Sequence, residues 1–374
     1  MKIVILQRRV WFVLTTLLIS VLACGPLASL LEDEPTPVPP TEVPPPTEVP
    51  VNTPQPEKPT PDAGSAGAPA GALNAGDIAN LDIFGTVNVS STPLLAAVAS
   101  PTDATFATFG FDKVVRIFDA NSGDLLQEMP GSSEYGFGLT YSEDGSVVAS
   151  TGGYRVYFWD PSNGDLFYDL VVNSFAFKLV WEPGTDRVAV VGDGSSKIEI
   201  IDVIEGEIVD TLQNPEGRVL WSVAFAPDGS QIATADDRGK MTVIDPSSGD
   251  VIHQDNTAAT GSGWDLEYSP DGSLLALCTG DGDIAIWQTS DWEVTLSGDK
   301  LFAGGCHDGI FTAGSDVYVA VGQDGALQAW DMADGTLLTV LSFPRAVWSV
   351  SLSGAGDFLT IALDNGTAHV LSVP

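Results

Sequence analysis

Short apolar runs alternate with turn residues along most of this chain. Seven of these runs end in the same phase, and the interval between successive ends is nearly constant. The seven closing pairs are Phe118-Asp119, Trp159-Asp160, Ile201-Asp202, Ile244-Asp245, Trp287-Gln288, Trp330-Asp331 and Leu371-Ser372. A period of about 42 residues, filled with short strands, is typical of propellers in which each repeat forms one four-stranded blade. The spacing therefore predicts an all-β, seven-bladed β-propeller.

Three sets of turns divide each repeat into four strands, a to d. Ala226-Pro227-Asp228-Gly229 illustrates the a–b turns, in which Pro presets φ and Gly accepts a positive φ. Gly280-Asp281-Gly282-Asp283 illustrates the b–c turns, and Ser247-Ser248-Gly249-Asp250 the c–d turns. Each repeat is therefore predicted to be a four-stranded meander.

From about Asn80 to Pro374 the chain resembles the bacterial branch of the WD-repeat family. Residues 219–229 (VLWSVAFAPDG) match the strand-a pattern of that family, and residues 284–287 (IAIW) match its strand-c pattern. The family's Gly-His dipeptide before strand a is missing, and its terminal Trp-Asp pair is intact only at Trp159-Asp160 and Trp330-Asp331. The resemblance implies a propeller that docks peptides on one face.

The last repeat stops after its strand c, so its blade needs an outer strand from elsewhere. Residues 80–87 are strand-like and have no other place in the repeat pattern. We expect them to pair with the strand containing His369 and Leu371, because closing the ring removes an exposed sheet edge.

The N-terminus has the layout of a secretory signal. Lys2, Arg8 and Arg9 precede an apolar stretch over residues 10–23, which is short for a membrane span. Val21-Leu22-Ala23-Cys24-Gly25 resembles the bacterial lipobox, which implies cleavage before Cys24 and lipid attachment to its thiol. The alternative is an uncleaved signal anchor over residues 10 to about 31.

Three domains follow from these features. Residues 1–23 are expected to be the signal peptide, 24–76 a lipidated Cys24 with a flexible Pro/Thr/Gly-rich linker, and 77–374 the propeller. We therefore expect a lipid-anchored protein on the extracytoplasmic face of a bacterial cell envelope.

Charge narrows the class of partner. Residues 77–374 carry 11 basic and 43 acidic residues, a formal charge of −32. Such a surface repels nucleic-acid phosphates and anionic lipid, and it permits cationic peptides, basic protein faces or divalent cations as partners. We expect a monomeric propeller with an unknown protein or peptide partner that carries a basic segment, and no nucleic-acid partner.

One phase of the repeat is rich in aromatic residues. Twenty-three residues before the strand-c ends stand Lys178, Trp221, Trp264, His307 and Trp348, at the entry to the innermost strand. These side chains are expected to share one face around the central channel, where aromatic residues commonly anchor partners.

The acids of the b–c turns are expected nearby. They are Asp193, Asp236, Asp237, Asp281, Asp324 and Asp364. Aromatic rings surrounded by carboxylates would suit a Lys- or Arg-bearing segment or a quaternary ammonium ligand. The alternative is that the rings fill the channel mouth and that the aspartates bond their own backbone.

No motif indicates catalysis, a metal or a cofactor. The three histidines, His253, His307 and His369, have no metal-ligand spacing, and no Gly-x-Ser-x-Gly elbow is present. Cys306-His307-Asp308 would alternate faces along a strand and would not form a Cys-His pair.

Cys278 and Cys306 remain once Cys24 is lipidated. The repeat register places Cys278 late in one strand b and Cys306 early in the next strand a, so a disulfide is geometrically allowed. Two buried thiols are the alternative.

Three functional hypotheses follow. The first is a noncatalytic scaffold that binds proteins or peptides. The second is a lipoprotein for envelope protein assembly. The third is a propeller enzyme, either a hydrolase or a quinone-dependent dehydrogenase.

Overall fold

The computed structural model describes residues 71–374, apart from 131, 133, 257, 258 and 374. The expected signal peptide, Cys24 and the linker up to residue 70 lie outside the described residues. Within residues 71–373 no helix combines the length and the apolar character that a membrane crossing needs.

Seven four-stranded antiparallel sheets form the blades. Blade 1 contains β2 (Leu94–Ala99), β3 (Thr105–Gly110), β4 (Val114–Asp119) and β5 (Leu125–Pro130); blade 2 contains β6 (Leu139–Tyr141), β7 (Val148–Thr151), β8 (Arg155–Trp159) and β9 (Leu166–Val171). Blade 3 contains β10 (Phe175–Trp181), β11 (Arg187–Asp193), β12 (Lys197–Asp202) and β13 (Glu207–Gln213); blade 4 contains β14 (Leu220–Phe225), β15 (Ile232–Asp236), β16 (Met241–Ile244) and β17 (Val251–Asp255). Blade 5 contains β18 (Gly263–Tyr268), β19 (Leu274–Thr279), β20 (Ile284–Gln288) and β21 (Val294–Gly298); blade 6 contains β22 (Cys306–Phe311), β23 (Val317–Gly322), β24 (Ala326–Asp331) and β25 (Leu337–Ser342). Blade 7 contains β26 (Val347–Leu352), β27 (Leu359–Leu363), β28 (Thr367–Ser372) and β1 (Asp82–Asn88).

The predicted seven-bladed propeller is confirmed. Each strand c ends at the closing phase of its repeat, for example β8 at Trp159 and β24 at Asp331. The innermost strands contact one another in a closed circle, from β2 through β6, β10, β14, β18, β22 and β26 back to β2. Apolar side chains of strands b and c are buried between blades, because both faces of each sheet are covered by a neighbour.

The predicted closure of the ring is also confirmed. Strand β1 pairs antiparallel with β28 and serves as strand d of blade 7. Thr86 lies opposite His369, and the Thr86 hydroxyl is 2.9 Å from His369 Nδ1. Both ends of the described chain therefore meet in one sheet.

A short N-terminal helix that the repeat pattern did not predict precedes β1. Helix α1 (Ala75–Ile78) begins with a capping box, in which Asn74 accepts from the Asp77 amide and Asp77 accepts from the Asn74 amide. Ile78 is fully buried, together with Leu73 and Leu81, in a core shared with blades 6 and 7. We call residues 73–81 the N-terminal clasp.

Candidate functional site

The two faces of the propeller carry different turns. The b–c turns and the starts of strands a lie on one face, which we call the top face; the a–b and c–d turns lie on the opposite, bottom face. Strand a of six blades has a β-bulge near its start, as between Gly263 and Asp265 or between Cys306 and Asp308. A bulge re-aims one side chain, and here it does so at the mouth of the central channel.

Six of the side chains at this position are aromatic. They are Phe137, Phe177, Trp221, Trp264, His307 and Trp348, which we call the channel-mouth ring. In blade 1 the same position holds Leu95. Trp221, Trp264, His307 and Trp348 were predicted to share this face, and the structure brings them to it.

Lys178 is a correction to that prediction, because the bulged residue of blade 3 is Phe177. Strand b pairs with strand c through Val188 and Ile201 in blade 3, and through Ile232 and Ile244 in blade 4. The connection through the b–c turn is thus one residue longer in blade 3. Counting 23 residues back from the end of strand c therefore reaches Lys178, the residue after the bulged Phe177.

In blade 2 the b–c connection is shorter, and the repeat spacing did not identify Phe137 for that reason. Val148 pairs with Trp159, so the connection through this b–c turn is one residue shorter than in blade 4. Phe137 and not Gly136 consequently occupies the ring position. Allowing one residue of variation in the b–c turn would have found both phenylalanines from the sequence.

The rings of the channel mouth contact one another in sequence. Centroid distances are 4.7 Å for Trp221–Phe177, 5.6 Å for Phe177–Phe137 and 6.3 Å for Phe137–Trp348. His307 then stacks on Trp348 at 4.1 Å and meets Trp264 at 5.2 Å. These separations are typical of favourable aromatic pairs.

A second group of rings extends this surface over blades 1 to 3. Tyr135 contacts Phe111 at 4.9 Å and Phe175 at 5.9 Å, and Phe175 contacts Tyr154 at 5.7 Å. Phe175 also joins the channel-mouth ring through Phe177, at 5.8 Å. Tyr154 is 57% exposed, so the aromatic surface reaches solvent at the rim.

Two indole nitrogens of the channel-mouth ring have no hydrogen-bond partner in the described chain. The Nε1 atoms of Trp221 and Trp348 are buried, and neither finds a hydrogen-bond acceptor in the described chain. Buried polar atoms are satisfied in most proteins, so these two donors at one channel mouth lack an acceptor that the described chain does not supply.

His307 is held as a neutral imidazole. Its Nδ1 donates to the carbonyl oxygen of Val347 at 2.8 Å, across the boundary between blades 6 and 7. Burial lowers the pKa of His307 to about 4, although the Val347 carbonyl opposes this shift.

Trp264 lies in a slot formed by two glycines. A Cβ atom on Gly280 would come within 2.8 Å of the Trp264 ring, and one on Gly305 within 2.6 Å. Gly305 also has a φ of 130°, which side-chain-bearing residues rarely adopt. The indole therefore fits only because both positions lack a side chain.

Lys178 lies inside the channel, among carboxylates from the opposite side. Its Nζ is 2.6 Å from Asp265 Oδ1 and 3.4 Å from Asp308 Oδ1. The other oxygens of these aspartates accept from the amides of Gly309 and Val350, each in the next blade. Lys178 thus neutralises carboxylates that link blades 5, 6 and 7, and is not in the channel-mouth ring.

Lys178, Asp265, Glu267 and Asp308 form the channel cluster, in which several pKa values are strongly shifted. Burial raises the pKa of Glu267 to about 8 and that of Asp308 to about 7, and Lys178 opposes both shifts. Desolvation disfavours the charged form of Lys178, but the neighbouring carboxylates outweigh it and raise the pKa of this amine. Lys178 therefore stays protonated.

Several acids of the b–c turns already form ion pairs or hydrogen bonds within the chain. Asp237 forms an ion pair with Arg218, which also binds Asp236 at 3.2 Å. Asp324 accepts from the amides of Ala303 and Ala326, and Asp281 accepts from the Thr260 hydroxyl at 3.4 Å. These contacts match the alternative in which turn aspartates organise the local chain.

Asp364 differs from these acids. Its Oδ1 is buried without a hydrogen-bond partner in the described chain, and desolvation raises its pKa while Arg345 opposes the shift.

The negative charge is concentrated on the bottom face. None of the a–b and c–d turns, all of which the structure describes, contains a lysine or an arginine, whereas nearly every one contains an aspartate or a glutamate. Basic residues lie in the loops of the top face, namely Lys113, Arg218, Arg238, Lys240, Lys300 and Arg345. The aromatic surface therefore has a rim of mixed charge.

The residues of the Cys306-His307-Asp308 cluster have separate surroundings. Cys306 is joined to Cys278 as a disulfide, with a Cα separation of 5.3 Å. His307 belongs to the channel-mouth ring, and Asp308 to the channel cluster. In the part of the chain that the structure covers, no three His, Cys, Asp or Glu side chains are grouped to hold a metal.

Comparison with curated proteins finds partial relatives. Residues of this chain are 28% identical over 139 residues to the small ribosomal subunit protein RACK1 of Neurospora crassa, covering 37% of this chain and 43% of that protein. MST50-interacting protein 11 of Pyricularia oryzae is 27% identical over 139 residues, with the same two shares. The chain thus spans less than half the length of these relatives. Both are fungal, and neither supports the expectation of a bacterial lipoprotein.

The Cps50 (Swd1) β-propeller domain of Myceliophteria thermophila superposes with a TM-score of 0.68. It is 16% identical, and the match covers 79% of this chain and all of that domain. This likeness shows the WD-repeat-like propeller fold alone.

A family model described as outer membrane protein assembly factor BamB matches residues 112–336, from the b–c turn of blade 1 to the c–d turn of blade 6. Because this match covers more than half of the chain, the protein belongs to the family described as outer membrane protein assembly factor BamB.

Proposed function

We propose that this protein is a noncatalytic scaffold, anchored by lipid on Cys24 at the extracytoplasmic face of a bacterial cell envelope, whose top face binds a segment of a partner protein. The channel-mouth ring carries this proposal, because it places contacting aromatic rings and unused indole donors at one opening. Rigid aromatic side chains are common binding hot spots. The sequence around Cys24 and the Pro-rich segment after it support the anchor.

The partner segment would use two kinds of contact. Its apolar or cationic side chains would lie on the rings, where cation–π contacts favour Lys and Arg, and its carbonyl groups would accept from Trp221 and Trp348. Asp281 would attract a basic residue, because its contact with the Thr260 hydroxyl leaves its charge unbalanced, whereas Asp237 pairs with Arg218 and Asp364 has Arg345 nearby.

Selection of a displayed peptide library against the full chain in detergent micelles tests this function. We expect enriched peptides to bind at least tenfold more weakly to the Trp221→Ala/Trp264→Ala chain, and equally to a Trp292→Ala chain, whose substituted ring lies in a c–d turn of the bottom face. Equal binding by the double variant would reject the top face as the site.

A second candidate function is assembly of outer-membrane proteins, which the family description favours. Deleting the gene would then deplete integral proteins from the envelope, whereas a scaffold without an assembly role would leave the envelope proteome unchanged. Restoring the gene as Cys24→Ser would separate the need for the anchor from the need for the propeller.

A further inference from the structure

The disulfide and the channel-mouth ring are neighbours along two strands. Cys278 belongs to β19 of blade 5 and Cys306 is the first residue of β22 in blade 6, and both are fully buried. Gly280, which forms one wall of the Trp264 slot, follows Cys278 by two residues. Gly305, the other wall, and His307, which contacts Trp264, flank Cys306.

The loop that leads into Cys306 is held by hydrogen bonds from the Lys300 amide to Asp283 and from the Ala303 amide to Asp324, and it ends in two glycines. Gly304 and Gly305 adopt φ values of 93° and 130°, which residues with a side chain rarely adopt. The disulfide adds a covalent restraint at Cys306, the point where the loop becomes strand β22. This restraint lies directly beside Gly305 and His307, both of which contact the Trp264 ring.

We infer that the Cys278–Cys306 disulfide is a positioning element of the top-face site, so that the oxidised protein binds its partner segment and the reduced protein binds it much more weakly. This inference rests on the function proposed above. In the reductive step a dithiol reductant supplies two electrons and two protons. The S–S bond breaks, two S–H bonds form, and the reductant becomes a disulfide.

Reduction would leave the two thiols in place of one bond, next to the Tyr318 hydroxyl and the carbonyl of Asp308. Blades 5 and 6 would stay packed through their apolar core, while the strand start at Cys306 would gain freedom. The effect would thus be confined to Trp264, His307 and the ring stacked on His307, Trp348.

Fluorine NMR of the full chain labelled with 5-fluorotryptophan tests the positioning directly. We expect complete reduction with a dithiol, verified by the gain of two hydrogens in the mass of the chain, to shift or broaden the resonances of Trp264 and Trp348, and to leave that of Trp159 in blade 2 unchanged. A Cys278→Ala/Cys306→Ala chain should resemble the reduced protein and should not respond to the dithiol. If that chain does not fold, reduction of the folded wild-type chain gives the same comparison.

Affinity for a peptide selected against the wild-type chain provides the second measurement. We expect its Kd to rise at least tenfold on reduction. Unchanged affinity, or an unchanged Trp264 resonance, would overturn the inference while leaving the scaffold function intact. Peptides that bind the Trp221→Ala/Trp264→Ala chain equally well would instead reject the scaffold function, and the NMR comparison would still decide the positioning role.

Discussion

The imidazole of His307 lies almost parallel to the indole of Trp348, with an interplanar angle of 11° and a centroid distance of 4.1 Å. The same imidazole donates from Nδ1 to the carbonyl of Val347, the residue before Trp348. Two contacts of different chemistry thus fix one side chain of blade 6 on the start of strand a of blade 7. The hydrogen bond to Val347 requires a proton on Nδ1, and burial keeps the ring neutral.

The neutral state of His307 predicts acid sensitivity. Its pKa is about 4 in the folded protein and 6.5 in the reference state, so the unfolded chain binds the proton more readily. The stability that this group contributes is fully present above about pH 6.5 and is lost as the pH falls through 4. We expect His307→Phe, which keeps a planar ring, to lose less unfolding free energy than the wild type between pH 6.5 and 4. Denaturant titrations that give the same pH dependence of the unfolding free energy for His307→Phe and the wild type would contradict this prediction.

The raised pKa of Glu267 predicts that stability falls as the pH rises. Burial raises its pKa from 4.5 to about 8, so the folded protein retains a proton that the unfolded chain releases. Its contribution is fully present below about pH 4.5 and is lost as the pH rises through 8. Glu267→Gln, which cannot ionise, should therefore flatten the decline in melting temperature between pH 5 and 8.5. Glu205 is exposed, so Glu205→Gln serves as the control. If the melting temperature of Glu267→Gln declined with pH as steeply as that of the wild type, Glu267 would not be the group responsible.

The slot around Trp264 predicts a specific glycine requirement. A methyl group on Gly280 would approach the indole to 2.8 Å, so Gly280→Ala should displace the ring and cost about 1–3 kcal/mol of unfolding free energy. Gly85→Ala is the matched control, because the nearest side-chain atom to its Cβ would be that of Val370 at 3.8 Å. Near-UV circular dichroism should change in Gly280→Ala alone; identical spectra for both variants would argue against the slot.

The N-terminal clasp predicts a contribution from outside the repeats. Ile78 is fully buried against blades 6 and 7, so Ile78→Ala should lower the unfolding free energy by about 3 kcal/mol. Ile83, in the strand β1 that follows, is 45% exposed, and Ile83→Ala should cost far less. Urea denaturation of both variants measures the difference. Similar losses would mean that the clasp is not integral to the core.

The architecture was predictable because it depends on spacing. Strand c lies between two neighbouring strands in all seven blades, so its end stays in phase, and the closing strand was predictable from one segment without a place in the repeats. The site was predictable only in part. Phe137 and Phe177 were hidden because the b–c turns of blades 2 and 3 differ by one residue from that of blade 4. The rings at Phe111, Tyr135, Tyr154 and Phe175 belong to no single repeat phase, because loops of different blades bring them together.

The chain reaches its first blade by way of the bottom face, where the Leu73 amide donates to the carbonyl of Gly356 in an a–b turn. Any mechanical load that arrives from the N-terminus must therefore first pull the clasp from its apolar seat. Only after that would it unzip β1 from β28 and open the ring. The clasp and its contact with Gly356 lie at the bottom face, so disruption of the clasp would begin on the side of the propeller opposite the channel-mouth ring.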